Sequence, residues 1–109
     1  MRISEVVEKT GLKALNQWDD GEVAGVYISD MVSDIITAAA SGCILVTLQT
    51  HTSLIAAANL VDAGMVVIAH GKQPTPDVIG LADKAAIPVF STADDTWTYA
   101  LRLVDLGLR

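Results

Sequence analysis

Ser41-Gly42-Cys43-Ile44-Leu45-Val46-Thr47 sets the fold, because the same design returns twice at a spacing of 22 residues. Ala63-Gly64 leads into Met65-Val66-Val67-Ile68-Ala69, and Ala85-Ala86 leads into Ile87-Pro88-Val89-Phe90-Ser91. Each aliphatic run is followed by a short polar loop and then by a helix-length segment. A strand and a helix repeated at this interval predict a parallel sheet with helices packed on it. Such a sheet gathers all its strand-to-helix loops on one rim, where open α/β sheets bind ligands. The expected architecture is a single small α/β domain, with a mainly parallel sheet of about four strands and helices on both faces. Residues 1–22 read as an N-terminal helix with a short strand and turn, and residues 23–109 as the repeated strand-helix units.

Composition agrees. A chain of 109 residues holds one modest core. Hydrophobic residues make up 51% and aromatics only 5%, so that core is aliphatic. Thirteen Asp/Glu against seven Lys/Arg give a net charge of −6, which repels phosphate backbones and anionic bilayers. Neither nucleic acid nor a membrane is an expected partner. The lone Cys43 permits no internal disulfide and suits a reducing compartment. Met1-Arg2-Ile3-Ser4-Glu5 lacks the apolar core of a signal peptide, and the expected location is cytoplasmic. Ile35 to Val61 carries no Asp, Glu, Lys or Arg and is long enough to span a bilayer. Ser41-Gly42 and Gln49-Thr50-His51-Thr52-Ser53 cut it into lengths expected of a covered parallel sheet instead.

Along the chain, Ser4 is the expected cap of a first helix that stops at Gly11. Leu12–Leu15 is a short strand, Gln17–Glu22 a turn, and Val23–Ile28 the first long strand. Ser29-Asp30 caps a helix to Ala40, and Thr52 or Ser53 opens a helix to Asp62. Thr75-Pro76-Asp77 opens another, with Pro76 at a first helical position where its missing N–H costs nothing. Pro88 suggests an edge position for the last strand. Asp95 or Thr96 starts the final helix, which runs to Leu106.

Two helices look apolar on more than one side. On the last, Trp97, Ala100, Leu101, Val104 and Leu108 form the expected sheet-facing stripe. Tyr99, Leu103 and Leu106 then face outward. The helix after Thr52 has no charge, with Leu60 on a second apolar face. A helix apolar all round is normally covered all round, and in so small a domain a second copy is the natural cover. A homodimer through Leu60, Tyr99, Leu103 and Leu106 is therefore expected.

The rim loops supply Ser29 and Asp30, then Gln49, Thr50 and His51, then His70, Gly71 and Lys72, then Asp95 and Thr96. Helix N-termini beside them favour anions, which points to a small polar or anionic, nucleotide-like ligand. Taken singly, Asp30, Thr52, Thr75 and Asp95 read first as helix caps. No catalytic signature is present. Lys72 is followed by Gln73 rather than Ser or Thr and has no upstream glycine in phosphate-loop register; no G-x-G-x-x-G, G-x-S-x-G or H-E-x-x-H occurs. His51 and His70 lack neighbours at metal-ligand spacing, so no metal and no cofactor is expected. Cys43 precedes its strand, away from the rim, and reads as packing. An enzyme would have to use His51 or His70 as general base, with Asp30 orienting it. A third reading is a pure interaction subunit.

Val26-Tyr27-Ile28-Ser29-Asp30-Met31, Val67-Ile68-Ala69-His70-Gly71, Pro76-Asp77-Val78, and Ile87-Pro88-Val89-Phe90-Ser91-Thr92 with Asp95-Thr96 resemble the DRTGG domain from about Leu12 to Leu106. The resemblance implies a small α/β domain related to the N-terminal domain of HPr kinase/phosphorylase, and found beside CBS domains in some regulatory pyrophosphatases. It also implies a regulatory or interaction role, often at a dimer interface, without catalysis of its own. Similar single-domain forms with the Ser29–Asp34 and Leu48–His51 stretches occur in anaerobic bacteria near iron hydrogenase and signalling-kinase genes. A signalling or redox protein is thus an implied partner. The chain departs from the name of the family: Met31 stands in place of the arginine, and Ala69-His70-Gly71 in place of Thr-Gly-Gly. The lost arginine is the best planar anion clamp, and Lys72 is the one basic residue expected on the rim.

Overall fold

The computed structural model describes all of residues 1–109. Its elements are α1 (Ile3–Thr10), β1 (Lys13–Ala14), β2 (Val26–Ile28), α2 (Val32–Ala38), β3 (Ile44–Thr47), α3 (Thr52–Leu60), β4 (Met65–Ile68), α4 (Pro76–Ala85), β5 (Val89–Ser91) and α5 (Thr96–Asp105). The sheet order is β1-β5-β4-β3-β2. β2, β3, β4 and β5 are mutually parallel, with Ile44 opposite both Val26 and Met65. The expected four parallel strands are present, and β1 adds a fifth, antiparallel to β5. No helix is long and apolar enough to cross a membrane.

Successive side chains of a strand point to opposite faces, and the four-residue apolar runs use both. Leu45, Val66, Ile68 and Val89 face α2, α3 and α4, among Ile35, Leu54, Ile55, Ala57, Ala58, Val78 and Ala82. Ile44, Val46, Met65, Val67 and Phe90 face α1 and α5, among Ile3, Val6, Tyr99 and Leu103. Strands buried on both sides read as unbroken hydrophobic runs, which is why the 22-residue spacing was visible. Cys43 is buried at the entry to β3, and burial raises its thiol pKa.

Within α5 the facing is the reverse of the sequence expectation, although Leu108, just beyond the helix, is buried as expected. Tyr99 and Leu103 are fully buried and Leu106 is half-buried, whereas Trp97 (71%), Leu101 (43%) and Val104 (46%) are exposed. Both stripes satisfy helical periodicity, and a contact with α1 selects between them. The Thr10 hydroxyl donates to the Val6 carbonyl at 2.6 Å, which leaves its oxygen to accept from the Tyr99 hydroxyl at 3.1 Å. Trp18 takes the aromatic position on Phe90, with ring centroids 5.3 Å apart and an edge-on angle of 70°. Tyr99 and Leu103 therefore cannot form a dimer face. Leu60 is exposed, but α3 and α5 lie on opposite sides of the sheet, so Leu60 and Leu106 do not share a patch.

Burial pushes the Tyr99 phenol up to about 12, from an ordinary value of 10. The folded chain thus holds this proton more tightly than the unfolded chain. Stability from this group is complete below pH 10 and is lost as pH rises from 10 to 12. A loss of about 2–3 kcal/mol is expected over that window in urea titrations. Tyr99→Phe, which has no proton to lose, should show a correspondingly smaller alkaline drop.

Local details also differ. α1 begins at Ile3, with Ser4 inside its first turn. Asp20 supplies the cap from the following turn: its carboxylate accepts from the Ser4 N–H at 3.0 Å, the Ser4 hydroxyl at 2.7 Å and Arg2 Nε at 3.0 Å. These bonds, led by those from Ser4, hold the Asp20 carboxyl well below the ordinary carboxylate range. The Val23–Ile28 strand shrinks to β2 because Gly25 adopts φ +80°. Pro88 does not mark an edge; β1 lies beyond β5, and the Asn16 side chain continues that pairing. Asn16 Nδ2 donates to the Ile87 carbonyl at 2.9 Å, and Asn16 Oδ1 accepts from the Val89 N–H at 3.0 Å.

Candidate functional site

The four parallel strands end on one edge, and the loops that follow them (residues 29–31, 48–51, 69–75 and 92–95) form a continuous rim. Adjacent loops are bonded to one another in sheet order. Asp30 Oδ1 accepts from the Leu48 N–H at 2.6 Å and from the Thr47 hydroxyl at 3.2 Å. The Ala69 N–H donates to the Thr47 carbonyl at 3.0 Å, and the His70 and Gly71 N–H groups donate to the Asp94 and Thr92 carbonyls at 2.8 Å each. Within the second loop, Thr47 Oγ1 accepts from the Gln49 N–H, and Gln49 Oε1 accepts from the N–H groups of Thr50 and His51. Backbone groups that a loop would otherwise leave to water are thereby used to fix its shape.

The loop after β4 carries the clearest backbone constraint. His70 and Gly71 have φ +62° and +63°, and the Lys72 N–H closes the turn on the Ala69 carbonyl at 3.3 Å. Two consecutive positive φ angles define a mirror-image β-turn, which glycine accommodates and histidine tolerates at some cost. The bonds from His70 and Gly71 to the neighbouring loop hold that conformation.

All the residues selected from the sequence as ligand candidates lie on this edge, but in different roles. Asp30 is not a helix cap: α2 begins after Met31, whose N–H is accepted by the Ser29 hydroxyl at 3.2 Å. Nor does Asp30 orient an imidazole, since its bonds go to Thr47 and Leu48. Asp95 does cap α5, accepting the Thr98 N–H at 2.7 Å, and that bond leads the lowering of its pKa; the charge of nearby His70 contributes last. Thr96 is the first residue of α5. Strands stand about 4.8 Å apart, so the outer loops are separated by roughly 14 Å. Ser29-Asp30 and Asp95-Thr96 therefore frame the rim, and the central loops carry its free side chains. His51, His70 and Lys72 are exposed, and their side chains make no hydrogen bond or ion pair within the chain.

Arg102 was missed. From the second turn of α5 its Nε reaches Asp94 Oδ2 at 2.6 Å, so Lys72 is not the one basic residue at this edge. Only the helical path from the Asp95 cap brings Arg102 back towards the rim, and the sequence carries no mark of that pairing. Two open recesses lie away from the rim centre. One of about 220 Å³ is lined by Gln17, Trp18, Asp19, Asp83 and Ala86 at the opposite edge. The other, about 500 Å³, runs along α4 from Thr52 and Pro76.

The DRTGG domain model matches residues 5–106, nearly the whole chain and all the rim loops. The chain belongs to the DRTGG domain family. This DRTGG domain is similar in structure to the CBS and DRTGG domains of the regulatory region of Clostridium perfringens pyrophosphatase, solved in complex with its activator, diadenosine tetraphosphate. The TM-score is 0.74 at 17% sequence identity, over 94% of this chain and 45% of that one. The likeness at this identity is one of fold, and the present chain spans less than half of the longer regulatory region. No curated protein matches the chain.

Proposed function

We propose that this DRTGG domain is a regulatory or interaction module, acting as one domain in the cytoplasm. On this reading it binds a small anionic, nucleotide-like ligand at the C-terminal edge of its strands. The observation that carries the reading is the division of labour on the rim. Asp30, Thr47, Thr92 and the amide oxygen of Gln49 are bonded to one another or to the loop backbones, and Asp94 is paired with Arg102 of α5. His51, His70 and Lys72 remain as unused donors on adjacent loops, beside the N-termini of α3 and α4. This set is suited to holding negative charge and contains no nucleophile-base pair that would transform it. The activator of the Clostridium perfringens pyrophosphatase region is a nucleotide, which supports the choice of ligand class.

Calorimetric titration with diadenosine tetraphosphate and ATP tests the proposal. Lys72→Ala and His51→Ala are each expected to weaken binding by about tenfold, as for the loss of one charge-assisted hydrogen bond. Tm is expected to stay close to that of the wild type, because both side chains are exposed and unbonded. Failure of both nucleotides to bind, or full affinity in the Lys72→Ala, His51→Ala double variant, would remove the rim as a ligand site.

A homodimer remains part of the proposal, on a corrected surface. The outer stripe of α5, Trp97, Leu101 and Val104, is apolar and uncovered. It replaces the face formed by Tyr99, Leu103 and Leu106.

A further inference from the structure

Gly80 lies in the middle of α4, where glycine weakens a helix relative to alanine. Packing within the chain does not call for it. A Cβ at Gly80 would meet nothing within 4 Å, whereas a Cβ at Gly64 would come within 2.7 Å of Val23 Cγ1. Gly80 instead lines the open recess of about 500 Å³, together with Thr52, Pro76, Asp77, Leu81 and Lys84. That volume lies within the range of small-molecule sites, roughly 300–1,000 Å³.

The recess begins at the rim. Thr52 directly follows His51 and opens α3, and Pro76 opens α4 four residues after Lys72. Pro76, Gly80 and Lys84 are four residues apart and share one face of the helix. Pro76 and the exposed Leu81 supply apolar walls on either side of bare backbone at Gly80. From Pro76 to Lys84 the helix rises about 12 Å, comparable to a nucleoside. Neither Asp77 nor Lys84 is engaged in an ion pair. Asp77, in the first turn of α4, accepts from hydroxyl groups next to the rim, and Lys84, in the last turn, donates to a ring nitrogen or carbonyl at the far end of the groove. The exposed rim groups His51 and Lys72 take the anionic end of a bound molecule, which leaves its uncharged ring end over Gly80.

We propose that the α4 recess receives the nucleoside end of a nucleotide-class ligand, whose phosphates lie on the rim at His51 and Lys72. The proposal rests on the rim reading above and adds to it the source of discrimination between a nucleotide and a bare polyphosphate. A flat ring can approach the backbone at Gly80 where any side chain would hold it off.

The test compares ATP with inorganic tripolyphosphate on the full chain by titration calorimetry. Wild type is expected to bind ATP at least tenfold more tightly than tripolyphosphate. Gly80→Leu should erase that advantage, leave tripolyphosphate affinity within twofold, and keep or raise Tm, since leucine is the better helix former. Gly80→Ala, which adds a single methyl, should raise Tm by a few degrees and give a smaller loss in the same direction. It decides the matter if the leucine variant folds poorly. Equal affinity of wild type for the two probes, or ATP affinity unchanged in both Gly80 variants, overturns the recess proposal. The rim reading survives that result if Lys72→Ala still weakens both probes. No binding of either probe overturns both readings. A Gly80→Leu chain whose sedimentation changes while its ATP affinity does not would mark the recess as a contact between chains, and also overturns the proposal.

Discussion

Tyr99→Ala is expected to destabilise the chain by about 4 kcal/mol, the upper range for removing a large buried aromatic. Tyr99 is fully buried between α5 and α1, and its hydroxyl is held by Thr10. Domains of this size hold a total of about 5–15 kcal/mol, so this substitution alone removes from about a quarter to most of the stability. The larger residue two positions earlier should behave in the opposite way. Trp97 is 71% exposed, and Trp97→Ala is expected to stay within about 0.5 kcal/mol of wild type in urea unfolding of the monomer. Its effect belongs to association: Trp97→Ala and Leu101→Asp should each shift sedimentation towards monomer. A wild-type chain that sediments as a monomer at high concentration would refute the dimer, and a tolerated Tyr99→Ala would refute the assigned facing of α5.

Asn16→Ala is expected to cost about 2–3 kcal/mol, a large effect for a half-buried polar residue. The amide occupies the place of a strand backbone beside Pro88, pairing with the Ile87 carbonyl on one side and the Val89 N–H on the other. Truncation strips two bonds and leaves a buried N–H without a partner, and each buried group so abandoned costs about 1–3 kcal/mol. The midpoint of urea unfolding should fall with no change in slope. Hydrogen exchange at the Val89 amide should accelerate above the global change. An unaltered midpoint would mean that the strand end is held by β1 alone.

The parallel sheet and its rim were legible because burial on both faces writes itself into sequence as unbroken aliphatic runs at fixed spacing. Gly11, Pro76 and Asp95 were legible for a similar reason: each acts on its own helix terminus. The missed features depend on partners far away in sequence. Ser4 looked like a cap because its neighbours are helical, yet the capping carboxylate arrives from Asp20. Asp30 looked like a cap for α2 and instead reaches sideways to Leu48. On α5 two apolar stripes competed, and the choice between them rests on Thr10, which lies 89 residues away along the chain. The recess along α4 had no sequence signal beyond an interior glycine.

The margins of the sheet have a consequence for solution behaviour. β1 pairs through two residues, one of them Lys13, and β2 through three, with the outward N–H of Val26 already donated to the Arg109 carbonyl. Templated growth of β-structure needs a longer run of open backbone groups than either margin offers. Despite its aliphatic strands, the folded chain should resist fibril formation, and aggregation on heating should await unfolding.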